Sequence, residues 1–225
     1  TIVFFGSARI LAREVAQDAL DNAPKDSDKQ SLKRLKMDLK MSRYYEDART
    51  LAGKFTKWSK GLKGTKHRYI ICSGGGPGIM EASNRGASEA GGVNVGLTIL
   101  LPNESSGNKW ISDDLDMKFH YFFMRKFWFL YLAKALIVWP GGFGTLDELM
   151  ELLTLIQTEK IKKRLPIVLH GKEFWEKVVN WDYLVDIGTI SPEDLDLFHI
   201  SDDINDTFNY VTKFIEKNQL KGPNF

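Results

Sequence analysis

The stretch Ala135-Leu136-Ile137-Val138-Trp139-Pro140-Gly141-Gly142-Phe143-Gly144-Thr145-Leu146-Asp147-Glu148 passes from an unbroken apolar run, through three glycines, into a helical pattern. A run of four apolar residues bounded by a turn signal reads as a strand buried on both faces. Downstream, Leu149, Leu152, Leu153 and Ile156 recur at the spacing of an amphipathic helix. The glycines therefore occupy a strand-to-helix turn. Without a Cβ, Gly141, Gly142 and Gly144 let backbone N–H groups approach a ligand closely. The helix behind them adds the unpaired donors of its first turn and the positive end of its dipole. Such a turn is an anion site, and phosphate is the expected anion. Phosphate needs no carboxylate, so Asp147 and Glu148, one turn inside the helix, point to chemistry or ribose recognition beside it.

Outward from this turn the same grammar repeats. Ile2–Phe5 is a strand-like run ending in Gly6-Ser7-Ala8, and Tyr69–Cys72 runs into Ser73-Gly74-Gly75-Gly76-Pro77-Gly78. Further strands are expected at Val93–Leu101, Met117–Tyr121 and Pro166–Leu169. Helices are expected over Tyr44–Leu62, over Ile79–Ala87 with Pro77 at its first position, over Phe122–Ala133 and over Phe174–Val185. A short helix opens at Ser191-Pro192, and a last one carries Ile204, Phe208, Val211 and Ile215. Residues 21–40 are polar and mixed in charge and read as a mobile surface excursion, partly helical toward its end. Alternating apolar strands and helices imply an α/β fold, a Rossmann-like doubly wound parallel sheet, in a single domain over 1–225. In such a sheet the carboxyl ends of the strands line one crevice, so the turns at Ser7, Gly74–Gly78 and Gly141–Thr145 can meet on one ligand.

Bulk composition excludes several classes. The 225 residues are 43% hydrophobic and 27% charged, ordinary for a globular chain. A net charge of +2 is too small to argue for nucleic acid or a membrane surface as partner. The apolar region from Phe127 to Trp139 is broken by Lys134 and is shorter than the roughly 20 residues a membrane span needs. One cysteine, Cys72, excludes an internal disulfide framework and fits a reducing cytoplasm, the expected location. No signal-peptide pattern is read at the opening Ile2–Phe5. His67, His120, His170 and His199 show no metal-ligand spacing, so neither a metal nor a cofactor is expected.

Known glycine motifs can be tested against their required context. A P-loop needs a lysine before Ser/Thr, and Gly144-Thr145 has none. A dinucleotide fingerprint fails because Ile79 follows Gly78, and the next strand ends Leu100-Leu101-Pro102 without an acid. An NAD-dependent oxidoreductase is therefore disfavoured. The run Pro140-Gly141-Gly142-Phe143-Gly144-Thr145-Leu146-Asp147-Glu148, with Arg125-Lys126 upstream and Gly74–Ala82, resembles the LONELY GUY (LOG) family over roughly Gly6 to Ile161. The resemblance implies a Rossmann-like, usually dimeric hydrolase. It would cleave the N-glycosidic bond of a nucleoside 5′-monophosphate, AMP or a cytokinin riboside monophosphate, to free base and ribose 5-phosphate. Members carry an older lysine decarboxylase label, but no lysine here stands in a recognisable pyridoxal-phosphate context. Carried over by residue, Arg125 and Glu148 match the catalytic pair. Lys126, Gly142, Gly144, Thr145 and Thr154 match binding positions, and Glu104 a further binding acid. Ser7, Gly75, Gly76, Gly141 and Asp147 complete the expected substrate site. The 21–40 insertion and the tail from Ser191 depart from the shorter plant-type members and leave the preferred base open.

Each reading has a plainer rival. Thr145-x-x-Glu148 is also a capping-box pattern. Arg125-Lys126 reads equally as a solvated helix edge. The aromatics of Phe122–Tyr131 favour packing over base stacking, and their all-round apolarity suggests a homodimer interface. A nucleotide-binding or sensing protein without turnover, on the same scaffold, is the alternative function.

Overall fold

Every strand of the computed structural model lies in one parallel sheet, ordered β4-β3-β2-β1-β5-β6-β7. The model describes residues 1–62, 69–100 and 107–220. The strands are β1 Ile2–Phe5, β2 Ile71–Ser73, β3 Asn94–Ile99, β4 Asp116–Phe119, β5 Ala135–Val138, β6 Ile167–His170 and β7 His199–Ser201. The helices are α1 Arg13–Asp21, α2 Lys29–Met41, α3 Arg43–Gly61, α4 Ile79–Glu89, α5 Phe122–Leu132, α6 Phe143–Gln157, α7 Lys172–Val178, α8 Trp181–Asp186 and α9 Ile204–Asn218, with a 3₁₀ turn at Pro192–Leu197.

The strands read as uniformly apolar because both faces are covered. Side chains alternate across the sheet. Ile2, Phe4, Ile71, Ile137 and Val168 join a core with Leu51, Phe55, Ile79 and Val211 from α3, α4 and α9. Val3, Phe5, Cys72, Leu136, Val138 and Leu169 join a second core with Phe129, Leu149, Leu152 and Trp175 from α5, α6 and α7. Leu136 and Phe4 are fully buried. Burying a side chain of that size stabilises the fold by about 1.5–3 kcal/mol, and truncating Leu136 to alanine would cost about 2–5 kcal/mol once the cavity is included.

From β1 the chain builds outward through β2, β3 and β4, then returns to place β5 on the other side of β1. That reversal is a topological switch point, and a crevice opens there beyond the strand ends. Three backbone hydrogen bonds tie its rim together. Trp139 N–H donates to Phe5 O at 2.8 Å, Ser7 N–H to Pro140 O at 3.1 Å, and Ile79 N–H to Ser7 O at 3.0 Å. The last contact depends on Gly78, which has φ +68° and whose Cβ, if present, would overlap the Ser7 carbonyl.

Several expectations need correction. The helix expected over Phe174–Val185 is two helices, because Val179 is extended and the Asn180 side chain caps α8 by accepting from Tyr183 N–H. Trp175 and Trp181 are both buried, whereas Val178 is 45% exposed. Pro77 stands two residues before α4, whose N-cap is Gly78. The short β7 and the amphipathic α1 were not anticipated. The strand expected over Val93–Leu101 runs Asn94–Ile99, and its last expected residue lies outside the described ones. The 21–40 excursion is partly helical as expected. Asp28 caps α2 by accepting from Ser31 N–H, none of α2 is buried, and Lys40 reaches Glu173 of α7 at 3.2 Å. Among the described residues, no helix is long and apolar enough to cross a membrane.

Candidate active site

A cleft of about 670 Å³ lies over the carboxyl ends of the strands. Phe5–Arg9 at the end of β1, Gly74, Gly76 and Pro77 after β2, Thr98–Leu100 at the end of β3, Lys118 of β4 and Gly142–Leu146 with Glu148 after β5 all line it, and α5 adds Phe122, Arg125 and Phe129. The turns expected to converge do so.

At its centre α6 begins without a side-chain cap: Gly142 is the N-cap and Phe143 the first helical residue. The N–H groups of Phe143, Gly144 and Thr145 have no carbonyl a turn earlier to receive them. Among the described residues, and apart from the adjoining backbone, no atom lies within 4 Å of the Cβ positions of Gly142 and Gly144. The protein's own packing therefore does not require glycine there, whereas a ligand drawn to the helix N-terminus would. Gly141 differs: a Cβ there would overlap the Thr145 hydroxyl, so the turn folds back on the helix and holds Thr145 nearly buried. The capping-box reading of Thr145 and Glu148 is corrected, because Thr145 is the third helical residue and Glu148 lies a further turn inside.

Glu148 is 7% exposed and its Oε2 is buried without a hydrogen-bond partner. Burial pushes its carboxyl up to about 7. Lys126 and then Arg125 pull it down, and Asp147 and Glu151 oppose them. Arg125 faces the same cleft, its guanidinium carbon 5.1 Å from the Phe122 ring and 5.7 Å from the Phe129 ring, with Nε unpartnered. Burial lowers its pKa and Glu148 partly restores it. An arginine stays protonated throughout the neutral range, so it can orient and stabilise charge but not carry protons.

The other expected residues divide by position. Ser7 lines the cleft, and its hydroxyl accepts from Arg9 N–H at 3.0 Å. Gly76 lines the cleft while Gly75 turns inward, donating to Ser73 Oγ and giving its carbonyl to Asn108. Lys126 does not line it: its Nζ lies 2.7 Å from Asp147 Oδ2 and 2.9 Å from Glu151 Oε2. Asp147 and Thr154 also lie off the cleft, and Thr154 donates to Met150 O within α6. Glu104 falls outside the described residues.

Sequence reasoning missed Arg9 and Lys118, the other cations of the cleft, and Phe143, which is 94% exposed at its mouth. It also missed a buried amide ladder behind the glycine loop. Ser73 Oγ donates to Asn84 Oδ1, Asn84 Nδ2 to Asn94 Oδ1, and Asn108 Nδ2 to both Asn84 Oδ1 and Gly76 O. No motif marks these residues, because single asparagines far apart in sequence carry no period. Among the described residues, no group of His, Cys, Asp or Glu could hold a metal ion.

Comparison with known proteins gives the family and the fold. The family model described as possible lysine decarboxylase matches residues 80–211. The pyrimidine/purine nucleotide 5′-monophosphate nucleosidase of Escherichia coli (strain K12) is 30% identical over 115 residues, covering 45% of this chain and 24% of that protein. The protein of the same name from Escherichia coli O157:H7 matches to the same extent. The chain thus spans about a quarter of the length of the curated relatives it matches. Among solved structures, the molybdenum cofactor carrier protein of Chlamydomonas reinhardtii superposes with a TM-score of 0.53 at 19% identity, covering 77% of this chain and 89% of that one. The molybdenum cofactor binding protein of Rippkaea orientalis gives 0.52 at 17% identity, covering 76% and 88%. These two likenesses show the fold.

Proposed function

This chain belongs to the family described as possible lysine decarboxylase, the LONELY GUY family, and on that premise we propose that it hydrolyses the N-glycosidic bond of a nucleoside 5′-monophosphate, AMP or a cytokinin riboside monophosphate. The products are the free base and ribose 5-phosphate. The observation that carries the reading is Glu148: a buried carboxyl with an unpartnered oxygen, facing the cleft one turn inside an uncapped helix N-terminus and beside Arg125. The name of the curated relatives, which this chain matches over part of their length, supports the same reaction class.

In this mechanism the 5′-phosphate binds the N–H groups of Phe143–Thr145, and that remote binding energy orients C1′. The bond between C1′ and the base nitrogen breaks with its electron pair leaving on the base, which then takes a proton from solvent. Positive charge builds on the ribose, and the Glu148 carboxylate stabilises it. A water oxygen bonds to C1′ as Glu148 accepts one of its protons. Arg125, held by Phe122 and Phe129, fixes the substrate and balances charge without changing its own protonation. Two copies of the chain pair through the outward face of α5, where Phe123, Phe127 and Tyr131 are more than half exposed.

The direct test is incubation with AMP and with isopentenyladenosine monophosphate, followed by chromatography for free base and ribose 5-phosphate. Release of base from either supports the proposal, and the ratio of rates identifies the preferred base. Tight binding of both nucleotides without release of base would instead leave a nucleotide-binding protein.

A further inference from the structure

Three carboxylates crowd the first half of α6. Asp147 and Glu151 are four residues apart and share one face, while Glu148 is turned by about 100° from Asp147 and lines the cleft. Left alone, three like charges within about one helical turn disfavour one another's ionisation. The neighbouring helix answers them with consecutive cations. Arg125 of α5 enters the cleft beside Glu148, and Lys126, the next residue, reaches the far side of α6.

We propose that Lys126 is a positioning residue for Glu148 and not a ligand of the substrate: clamped between Asp147 and Glu151, it offsets part of their charge, so that Glu148, the one acid of α6 that lines the cleft, ionises beside one net negative charge and not two. The geometry supports this in three ways. Lys126 Nζ has both partners within 2.9 Å, and its side chain is only 17% exposed. It is absent from the cleft lining, where Arg125 is present. To bind a phosphate or a base it would have to release two carboxylates on its own side of the helix. Burial raises the lysine's cost of ionisation, and the hydrogen bonds it donates to Asp147 and Glu151 more than offset this, so its pKa is raised. Among the charges acting on Glu148, Lys126 ranks ahead of Arg125. The groups facing Glu148 are then Arg125 and Lys126 from α5 and Asp147 and Glu151 from α6, with Arg9 after β1 and Lys118 of β4 in the same cleft.

The inference rests on Glu148 as the working carboxylate, so its test is built to separate the two. The carboxyl carbon of Glu148 is titrated by ¹³C NMR in the ligand-free protein, its resonance assigned by its loss in Glu148→Gln. Lys126→Met should raise the Glu148 midpoint to a pH at which the proton concentration is about tenfold lower. Asp147→Asn with Glu151→Gln should move it downward, and the triple variant should fall below Lys126→Met, since it also lacks the two carboxylates that raise the midpoint. The double variant keeps the test alive should Lys126→Met fail to fold. The acid limb of kcat/KM for AMP should follow the same order. An unmoved midpoint in Lys126→Met, with the alkaline plateau of kcat/KM collapsed, overturns the inference and makes Lys126 a substrate ligand. Shifted midpoints in a protein that turns over no nucleotide would leave the clamp standing and remove the nucleosidase reading.

Discussion

Ser7 donates its backbone N–H to the Pro140 carbonyl at 3.1 Å, and in return its own carbonyl accepts from Ile79 at 3.0 Å. One residue of the first turn therefore holds both glycine loops. The glycines of the site fall into two physical kinds as a result. Gly78 is required by the protein, since its φ of +68° and the closeness of the Ser7 carbonyl leave no room for a side chain. Gly78→Ala should destabilise the fold by about 1–3 kcal/mol in urea denaturation. Gly144 has nothing near its Cβ position and sits inside α6. Gly144→Ala should leave stability unchanged or raise it by up to about 1 kcal/mol, yet raise KM for AMP at least tenfold. Equal KM values would remove the phosphate from this helix end.

Glu148→Gln should abolish most turnover, because one preorganised electrostatic contact is typically worth about a hundredfold or more in rate. The same change should stabilise the protein at alkaline pH. The carboxyl titrates near 7 when folded and at its ordinary 4.5 when unfolded. Between those values the folded state holds the proton more tightly, so the parent loses stability as pH rises from 4.5 to 7. Above pH 7 the whole penalty is in place, and glutamine never incurs it. Thermal melts at pH 8 should favour Glu148→Gln by about 2–3 kcal/mol, while melts at pH 4.5 should nearly coincide. An active Glu148→Gln enzyme would send the search for the carboxylate to Asp147 or Glu104.

The 5′-phosphate should be obligatory. An uncapped helix N-terminus with Gly142 and Gly144 open beside it binds an anion and offers nothing equivalent to a ribose hydroxyl. Adenosine should be hydrolysed far more slowly than AMP at equal concentration, measured by adenine release. Similar rates for the two would detach the reaction from the glycine turn.

What the sequence disclosed follows from how each signal is encoded. Ala135–Val138 and Ile2–Phe5 were legible because strands covered on both faces are apolar throughout, and the convergence of their turns follows from parallel topology. The three-residue edge strand His199-Ile200-Ser201 was not legible, since it is only partly buried and shows neither run nor alternation. The break at Val179–Asn180 was hidden because an asparagine cap inside an apolar pattern looks like one more polar helix position. Glu148 stood out as an acid behind the glycine turn, whereas Arg125, which reads equally as a solvated helix edge, came from the family resemblance. Arg9, Lys118 and the Asn84–Asn94–Asn108 ladder are assembled by the sheet from distant segments and had no local sign.

The outward face of α5 gives a prediction about assembly. Phe123, Phe127 and Tyr131 are 67%, 54% and 59% exposed, and Phe127 and Tyr131 stack at 5.5 Å. Light scattering at micromolar concentration should show at least twice the chain mass of 25.7 kDa. Phe127→Lys should lower that mass with little loss of fold, because the residue contributes nothing to either core cluster. A parent protein that is strictly monomeric would overturn the pairing.

A last prediction concerns two buried groups whose linkages oppose each other. His170, 1% exposed, lies against the Trp139 ring at 4.3 Å and meets Thr207 Oγ1 through Nδ1 at 3.1 Å. Its Nε2 has no hydrogen-bond partner and stands 3.9 Å from Asp47 Oδ2, too far for a bond. Burial is the main cause that lowers its pKa to about 4, against 6.5 when unfolded. The unfolded chain therefore takes up a proton first, and stability is lost as pH falls from 6.5 toward 4, by about 2–3 kcal/mol at pH 4.5. Glu148 works in the opposite sense over nearly the same window, since acidification from 7 to 4.5 relieves its penalty. In the parent protein the two contributions largely cancel, and these groups alone leave stability nearly flat between pH 7 and 4.5. Urea denaturation should separate them. Glu148→Gln should lose about 2–3 kcal/mol on going from pH 7.5 to 4.5 relative to the parent. His170→Asn, which retains a polar atom near Thr207, should gain a similar amount over the same change. The double variant should return to the parent's profile. A Glu148→Gln profile parallel to the parent's would mean that the Glu148 carboxyl is not raised in the folded state, and its proposed poise near neutral pH would go with it.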